Sequence, residues 1–469
     1  MTGRLSSGHE RLDAVLGGGL PDNAINLIVG PPGSGKTILA EQYLFHNATP
    51  DRPGVYISTV SEPFEKLIRY GQTLSFFAPE AVGERVLFED LGATLATDGL
   101  GAAVERIGAL LKERQPGLLV IDSFKALETF SADRERYRNA LHELAGRLSA
   151  YPASCFWVGE YAEPEIGRAP EFAVADAIVS LSTLRQGSRE MRLLQVLKLR
   201  GSDFRSGQHA YRIGADGLTV FPRLGVVDVA DYVPEQTRVS TGIDALDAML
   251  DEGYWGGAST LVAGPSGAGK TLMGLHFVFR GAQSGEPGII ATLQENPVQL
   301  ERMLRGFGWS LSDPGVELVY RSPIDLYLEE WFHDLLAAIA RTGARRVLID
   351  SLADLRLATA DEVRFREYLY SLLQRAASGG VSLMMTLETR ADGVSGVSGV
   401  SEYGVSNISD NVVVLQLARQ GSRLARTITV LKTRASRHDP RVREFAITNA
   451  GIVLDESAGA ADALEHEGS

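Results

Sequence analysis

The sequence has one cysteine, Cys155, no apolar run of membrane-spanning length and no excess of basic residues. A single cysteine excludes an internal disulfide bond and suits a reducing compartment. Because Cys155 lies in an apolar run, we expect a buried structural thiol. A membrane-spanning helix needs about 20 apolar residues, and the N-terminus lacks the apolar core of a secretion signal. The sequence therefore predicts a cytoplasmic protein without a membrane span.

Positive charge is also scarce. The chain carries 46 lysines and arginines against 59 aspartates and glutamates, a formal net charge of −13. Nucleic acids and anionic membranes attract basic surfaces. The charge therefore argues against a standing affinity for either, although it leaves room for a local basic channel. The other residues are those of a globular protein, and 469 residues favour about two to three domains.

Two glycine-rich segments share one design, GPPGSGKT at residues 30–37 and GPSGAGKT at residues 264–271. Each follows an apolar run and fits the phosphate-binding loop pattern. Backbone N–H groups of such a loop and the start of the next helix face the phosphates. The lysine reaches the β- and γ-phosphates, and the threonine hydroxyl ligates magnesium. The predicted ATP-binding residues are Gly33, Ser34, Gly35, Lys36, Thr37, Gly267, Ala268, Gly269, Lys270 and Thr271.

The two loops belong to an internal duplication. Lys36 and Lys270 are 234 residues apart, and the Lys198-Leu199-Arg200 motif returns at the same offset as Lys432-Thr433-Arg434. The sequence therefore predicts two tandem domains, residues 1–233 and 234–455, followed by a short acidic tail at residues 456–469.

Each copy alternates short β-branched runs with helical patterns. Residues 117–122 and 346–350 are typical of buried strands, and residues 328–341 have helical apolar spacing. This alternation predicts α/β domains, each a mostly parallel sheet flanked by helices. Ligands of such sheets bind at the carboxyl ends of the strands.

Asp122 and Asp350 end two of the predicted strands. A carboxylate at that position can hold Mg²⁺ together with the loop threonine, so the predicted metal-site residues are Thr37, Asp122, Thr271 and Asp350. The alternative is that each aspartate caps the helix that follows.

The sequence resembles the KaiC family, a double-domain branch of the RecA-like ATPases. The resemblance rests on both phosphate loops, on Ile-Asp-Ser at residues 121–123 and 349–351, on both Lys-x-Arg motifs and on residues 437–445. It implies two RecA-like domains that form stacked homohexameric rings, with ATP at the subunit interfaces. It also implies signalling or clock-type protein partners.

The same resemblance implies a role for the paired basic residues Lys198, Arg200, Lys432 and Arg434. They would reach the γ-phosphate held by the neighbouring subunit and stabilise charge in the transition state. The alternative is a solvated basic strand.

The family carries two glutamates after the second strand that activate the attacking group. Here the first copy has Val60-Ser61 and the second has Gln294-Glu295. Valine and serine cannot replace a carboxylate base. We therefore expect the first copy to bind ATP and hydrolyse it poorly, and the second to use Glu295.

Clock members of the family phosphorylate an adjacent Ser-Thr pair in the second domain. The matching residues here are Ser406 and Asn407, whereas the first copy has Phe172 and Ala173. Ser406 is therefore a candidate phosphoacceptor. The alternative is a turn serine that satisfies local backbone groups.

The sequence thus predicts a slow ATPase that forms a double-ring hexamer, with serine autokinase activity at Ser406 as a further candidate. Two other functions stay open. A RecA-like nucleic-acid motor shares the fold, but it would need basic or aromatic channel loops, which the Gly-Val-Ser repeat at residues 393–401 does not provide. A non-catalytic, ATP-dependent assembly platform would show no turnover.

Overall fold

The computed structural model describes residues 3–59, 64–186, 189–225, 235–324, 326–357, 359, 361–389 and 405–459. The chain divides into two compact units, residues 1–223 and 224–469. The predicted junction at residue 233, the Val60-Ser61 pair and the Gly-Val-Ser repeat lie outside the described residues.

The strands of the first unit are short, and most of those in its large sheet are buried. They are β1 Arg4–Leu5, β2 Leu20–Pro21, β3 Ile25–Val29, β4 Gly54–Ser58, β5 Val86–Asp90, β6 Leu118–Asp122, β7 Ser154–Gly159, β8 Ala177–Gln186, β9 Arg189–Leu199, β10 Gln208–Gly214 and β11 Gly217–Phe221. Its α-helices are α1 Glu10–Val15, α2 Lys36–Asn47, α3 Phe64–Gly71, α4 Gly92–Thr97, α5 Gly99–Arg114, α6 Arg134–Ser149 and α7 Glu171–Val174.

The second unit repeats the order of strands, but it has one α-helix between its fifth and sixth strands where the first unit has two, and two between its sixth and seventh where the first has one. Its strands are β12 Arg238–Val239, β13 Tyr254–Trp255, β14 Ser259–Gly264, β15 Gly288–Thr292, β16 Val316–Tyr320, β17 Arg346–Asp350, β18 Ser382–Glu388, β19 Asn411–Gln420, β20 Arg423–Thr433, β21 Arg443–Thr448 and β22 Gly451–Gly459. Its α-helices are α8 Asp244–Met249, α9 Lys270–Gln283, α10 Pro297–Arg305, α11 Leu328–Thr342, α12 Leu352–Leu357, α13 Glu362–Ser378 and α14 Val405–Ile408.

Each unit is built on a nine-stranded sheet with the same strand order. The first sheet runs β11-β10-β9-β8-β3-β7-β6-β4-β5, and the second runs β22-β21-β20-β19-β14-β18-β17-β15-β16. The strands from β8 to β5 are parallel, and β9 turns back antiparallel to β8. The prediction of two RecA-like α/β domains with mostly parallel sheets is confirmed.

Both faces of the first sheet are covered. Leu27 packs into one apolar cluster and its neighbour Ile28 into another on the opposite face, because successive strand side chains point to opposite sides. Such two-sided burial explains why the strands are continuous apolar runs.

In the second unit, the predicted helix at residues 328–341 is present as α11, with Leu328, Trp331 and Leu335 fully buried.

Cys155 lies inside β7 and is completely buried, as its apolar neighbours predict. Burial raises the pKa of its thiol to about 12, so the thiolate that would react is disfavoured. Within the described ranges, no helix combines the length and the apolar character that crossing a membrane requires.

Candidate nucleotide-binding sites

The first phosphate-loop segment connects β3 to α2 at the carboxyl edge of the sheet. Gly33 and Gly35 adopt left-handed backbone angles, with φ of 73° and 88°. These angles favour glycine because a Cβ atom would be strained there. The Lys36 ammonium donates a 2.9 Å hydrogen bond to the Pro31 carbonyl. The lysine side chain therefore folds back over the loop, so its ammonium group lies where it could contact a phosphate bound by the loop.

The second loop repeats this geometry between β14 and α9. Gly267 and Gly269 have φ of 75° and 106°, and the Lys270 ammonium donates a 2.8 Å bond to the Pro265 carbonyl. The small residues inside the loops, Ser34 and Ala268, are fully buried. The backbone curls that the glycine spacing predicts are thus present in both copies.

The structure brings each loop threonine to an aspartate at the end of the strand that lies two positions from the phosphate-loop strand in the sheet. Thr37 Oγ1 donates to Asp122 Oδ2 over 2.7 Å, and Thr271 Oγ1 donates to Asp350 Oδ2 over 2.8 Å. The aspartates thus contact the loop rather than capping the following helix. Hydroxyl and carboxylate oxygens are the ligand type that Mg²⁺ prefers, so both pairs fit the predicted metal.

The second hydrogen bond to each aspartate differs between the copies. In the first copy the Tyr56 hydroxyl, on β4, donates to Asp122 over 3.0 Å. In the second copy Thr386, on β18, donates to Asp350. Ile290 and Val158 occupy the corresponding positions of the opposite copy. The two sites therefore share the threonine–aspartate pair but hold the carboxylate from different sides.

Burial dominates the electrostatics of these residues. It raises the pKa of Asp122 and Asp350, and hydrogen bonds from the nearby hydroxyls partly oppose the rise. Burial lowers the pKa of Lys36 and Lys270, and neighbouring carboxylates partly oppose the fall. Each site thus holds charged groups in a medium where they interact more strongly than in water.

One carboxylate in each copy was missed by the reasoning from sequence. Glu160 follows β7, and its Oε1 lies 3.6 Å from the Lys36 ammonium nitrogen. Glu388 ends the equivalent strand β18 and raises the pKa of Lys270. The available signal was the spacing, because Glu160 and Glu388 are 228 residues apart, as are Asp122 and Asp350.

Glu295 lies in the turn between β15 and α10, half-buried, and its backbone N–H donates to Thr292 Oγ1 over 3.3 Å. Its carboxylate forms no hydrogen bond or ion pair with any other described residue. The corresponding first-copy residues, Val60, Ser61 and Glu62, lie outside the described part of the chain. Of the two predicted base positions, the structure describes the one in the second copy.

The paired basic residues lie on the opposite edge of each sheet from the loops. Leu199, between Lys198 and Arg200, pairs with Ala177, and Ala177 pairs with Asn26 near the start of β3. The phosphate loop begins only after Val29, about 10 Å further along the strand. Lys198 and Arg200 are therefore not brought to the loop of their own domain.

On that edge the basic side chains contact their own domain. The Lys198 ammonium donates to the carbonyls of Phe172 and Ala173, 3.2 and 3.3 Å away, and Arg200 pairs with Asp176 at 3.2 Å. The second copy repeats this arrangement. Lys432 donates to the Ser406 and Ser409 carbonyls over 2.9 and 2.7 Å, and Arg434 pairs with Asp410 at 3.5 Å.

Ser406 lies in α14 beside this basic pair and is half-buried. Its carbonyl accepts from Lys432, but its hydroxyl forms no hydrogen bond with another described residue. The neighbouring Ser409 is different, because its hydroxyl donates to the Val405 carbonyl over 3.0 Å. Ser409, rather than Ser406, thus satisfies a backbone group of this turn.

Comparison with known proteins identifies the same duplication. A family model described as "ATPase: KaiC" matches the chain twice, over residues 5–225 and 239–459.

The relatives that match almost the entire chain include three circadian clock oscillator proteins. KaiC of Picosynechococcus sp. is 28% identical over 465 residues, which cover 96% of this chain and 89% of the relative. KaiC of Prochlorococcus marinus is 28% identical over 97% of this chain and 92% of its own. KaiC 1 of Synechocystis sp. is 27% identical over 96% and 88%.

Proposed function

The chain belongs to the KaiC family of ATPases, and from that premise we propose that it binds Mg-ATP at two unequal sites in a double-ring hexamer. Slow hydrolysis is the main activity, and Ser406 is the acceptor of an autokinase side reaction. The observation that carries the proposal is the threonine–aspartate pair beside each phosphate loop, at 2.7 and 2.8 Å. It recurs in both copies although the chain around it has diverged.

Each loop binds the triphosphate through its backbone N–H groups and its lysine. Lys36 and Lys270 leave the Pro31 and Pro265 carbonyls for the phosphate oxygens, which are stronger acceptors because they are charged. Thr37 with Asp122, and Thr271 with Asp350, would hold Mg²⁺. When bound, the ion would neutralise negative charge that develops on the phosphate oxygens.

The sites are unequal because only the second copy has a carboxylate at the predicted base position. Glu295 accepts a proton from the attacking water as its oxygen bonds to the γ-phosphorus, and ADP leaves with the bridging oxygen. The half-buried Glu295 carboxylate has no partner among the described residues, which supports this role since its oxygens are available. The first site then acts mainly by holding nucleotide.

The separation of the loop and the basic pair supports the proposed ring. Lys198, Arg200, Lys432 and Arg434 lie on the sheet edge opposite their own loops, so they contact phosphates only of a nucleotide held by another copy. Six copies closing head to tail would give every loop such a neighbour. ATP would then stabilise the interface, because it binds residues of two subunits at once.

Autophosphorylation would use the same interface. The Ser406 hydroxyl attacks the γ-phosphorus of the neighbour's ATP, its proton passes to Glu295 of the partner subunit, and ADP leaves. The Ser406 hydroxyl forms no hydrogen bond with another described residue, and Ser406 lies beside Lys432; both observations support this assignment. With Asn407 in place of a second acceptor, we expect one main phosphorylated state.

We further propose a cytoplasmic setting, where ATP is available, and a signalling or clock-like role with protein partners. Nucleic acid is not a proposed partner, because the chain is acidic.

Incubation with γ-labelled ATP and Mg²⁺ tests this function. We expect slow release of labelled phosphate and label on the protein, both greatly reduced in Lys270→Ala and only slightly in Lys36→Ala. An assembled protein that neither releases phosphate nor labels itself would reduce the function to a non-catalytic platform.

A further inference from the structure

The first unit contains a cleft of about 640 Å³ on the edge that carries Lys198. Its basic lining consists of Arg138 and His142 on α6, Arg168 and Lys198, and it has no acidic lining residue. The floor is apolar and includes Phe172 and Leu197. An all-basic cleft is unexpected in a chain with a net charge of −13.

Three of the four basic side chains of this cleft have no partner among the described residues. Arg138, His142 and Arg168 are exposed, and none of their side chains has a hydrogen bond or ion pair to another described residue. Lys198 donates only to backbone carbonyls. Like charges that lie close together repel one another. Such a cluster therefore favours an anion, and arginine suits phosphate because its guanidinium binds two oxygens at once.

The duplication indicates where the anion comes from. Phe172 and Ala173 in the cleft wall correspond to Ser406 and Asn407, and the proposed function sets Ser406 against the nucleotide of the neighbouring copy. Lys198 is also the residue proposed to reach that nucleotide. The ATP triphosphate carries about four negative charges, and the cleft presents three permanent cations to such a group. The cleft volume lies in the range of small-molecule sites.

We propose that Arg138 and Arg168 bind phosphates of the nucleotide held by the adjacent copy, in the ring formed by the first domains. The inference rests on the proposed ring and extends it with residues that are not part of the Lys-x-Arg motif. In the second copy Arg366 matches Arg138, and Tyr370 stands where the first copy has His142. A first site that hydrolyses poorly would then serve assembly, with extra cations holding its nucleotide.

The test is sedimentation velocity of the full chain across a range of ATP concentrations. The Arg138→Ala/Arg168→Ala double variant should need at least about tenfold more ATP for half-maximal assembly, because charge-assisted bonds to phosphate are lost. Arg134→Ala is the matched control, since Arg134 begins the same helix, is exposed and does not line the cleft. Arg138→Lys should recover part of the loss. Circular dichroism verifies that each variant is folded.

The Lys198→Ala variant tests the proposed subunit interface separately from the two arginines. If it assembles like the wild type, the proposed interface is wrong; if it is impaired and the double arginine variant is not, only the present inference is wrong. If Arg134→Ala had an equal effect, the loss of assembly would be a general effect of removing positive charge, and the present inference would be wrong.

Equilibrium dialysis separates the two sources of phosphate. We expect two nucleotides per chain in wild type and double variant alike. Three in the wild type and two in the variant would place a free nucleotide in the cleft and overturn the assignment to the neighbour.

Discussion

The Glu160 carboxylate lies 3.6 Å from the Lys36 ammonium nitrogen, at the end of the strand between the phosphate-loop strand and the Asp122 strand. Glu160 is more than half exposed and Lys36 is nearly buried, with side-chain exposures of 56% and 8%. The carboxylate therefore occupies the solvent side of the lysine, which is also the side from which a phosphate approaches. It acts as a local counter-charge that bound nucleotide must replace or accept.

We expect Glu160→Gln to bind ATP about two- to tenfold more tightly at the first site, because one negative charge beside the triphosphate is removed. The effect is small since Glu160 is largely solvated and screened. Isothermal titration with Lys270→Ala as the background isolates this site. Glu135→Gln, an exposed glutamate on α6, is the control. Weaker binding in Glu160→Gln would mean that the carboxylate helps to orient Lys36 instead of competing for it.

Asp122→Asn should raise the free energy of unfolding of the metal-free, nucleotide-free protein by about 1 kcal/mol at pH 8. Substitutions that remove an unfavourable functional group, here a buried ionised carboxylate, commonly stabilise a protein by about this amount. Burial raises the pKa of Asp122 in the folded state. The wild type therefore loses stability as the pH rises from the ordinary aspartate pKa, 3.8, through the folded pKa. Asparagine does not ionise and escapes this loss.

Chemical denaturation in EDTA at several pH values measures the difference, which should grow as the pH rises and shrink towards pH 4. The exposed Asp51→Asn is the control. An asparagine variant that is less stable at every pH would show that the hydrogen bonds to the ionised carboxylate outweigh its burial.

Glu295→Gln should lower ATP turnover by about 10²–10⁴-fold while ATP stays bound, the usual loss when a positioned base is removed. Glutamine keeps the size of the side chain but accepts no proton. Steady-state phosphate release together with nucleotide retention on a filter measures both quantities. The neighbouring Gln294→Ala is the control. The assignment would be wrong if Lys36→Ala reduced turnover more than Glu295→Gln in a protein that still assembles.

Mass spectrometry after incubation with Mg-ATP should find one phosphate on the peptide that contains Ser406. The phosphate should be absent from Ser406→Ala and from Glu295→Gln, because the first lacks the acceptor and the second the base. Ser409→Ala is the matched control, as Ser409 lies in the same turn but donates to the Val405 carbonyl. Intact hydrolysis with no label on Ser406 after prolonged incubation would leave a plain ATPase.

Local patterns in the sequence were sufficient to predict the fold class and the phosphate loops. The repeat at 234 residues is visible when the sequence is compared with itself, and the glycine positions required by left-handed backbone angles and the apolar strands are short-range signals. Each depends on steric limits or on burial of one segment, so it can be read without knowing what lies beside it. The fold class and the family resemblance predicted in this way are confirmed.

The surroundings of each site depended on the tertiary structure. Strand order places Glu160 beside Lys36, and it gives Asp122 and Asp350 their different donors, Tyr56 and Thr386. It also puts Lys198 and Arg168 at one cleft on the edge opposite the loop. These contacts join residues that are far apart in the chain. The same local patterns are compatible with a sheet that has a different strand order. Only the packing of the whole sheet selects that order, so the amino-acid sequence by itself determined the type of chemistry, and the fold decided which side chains surround it.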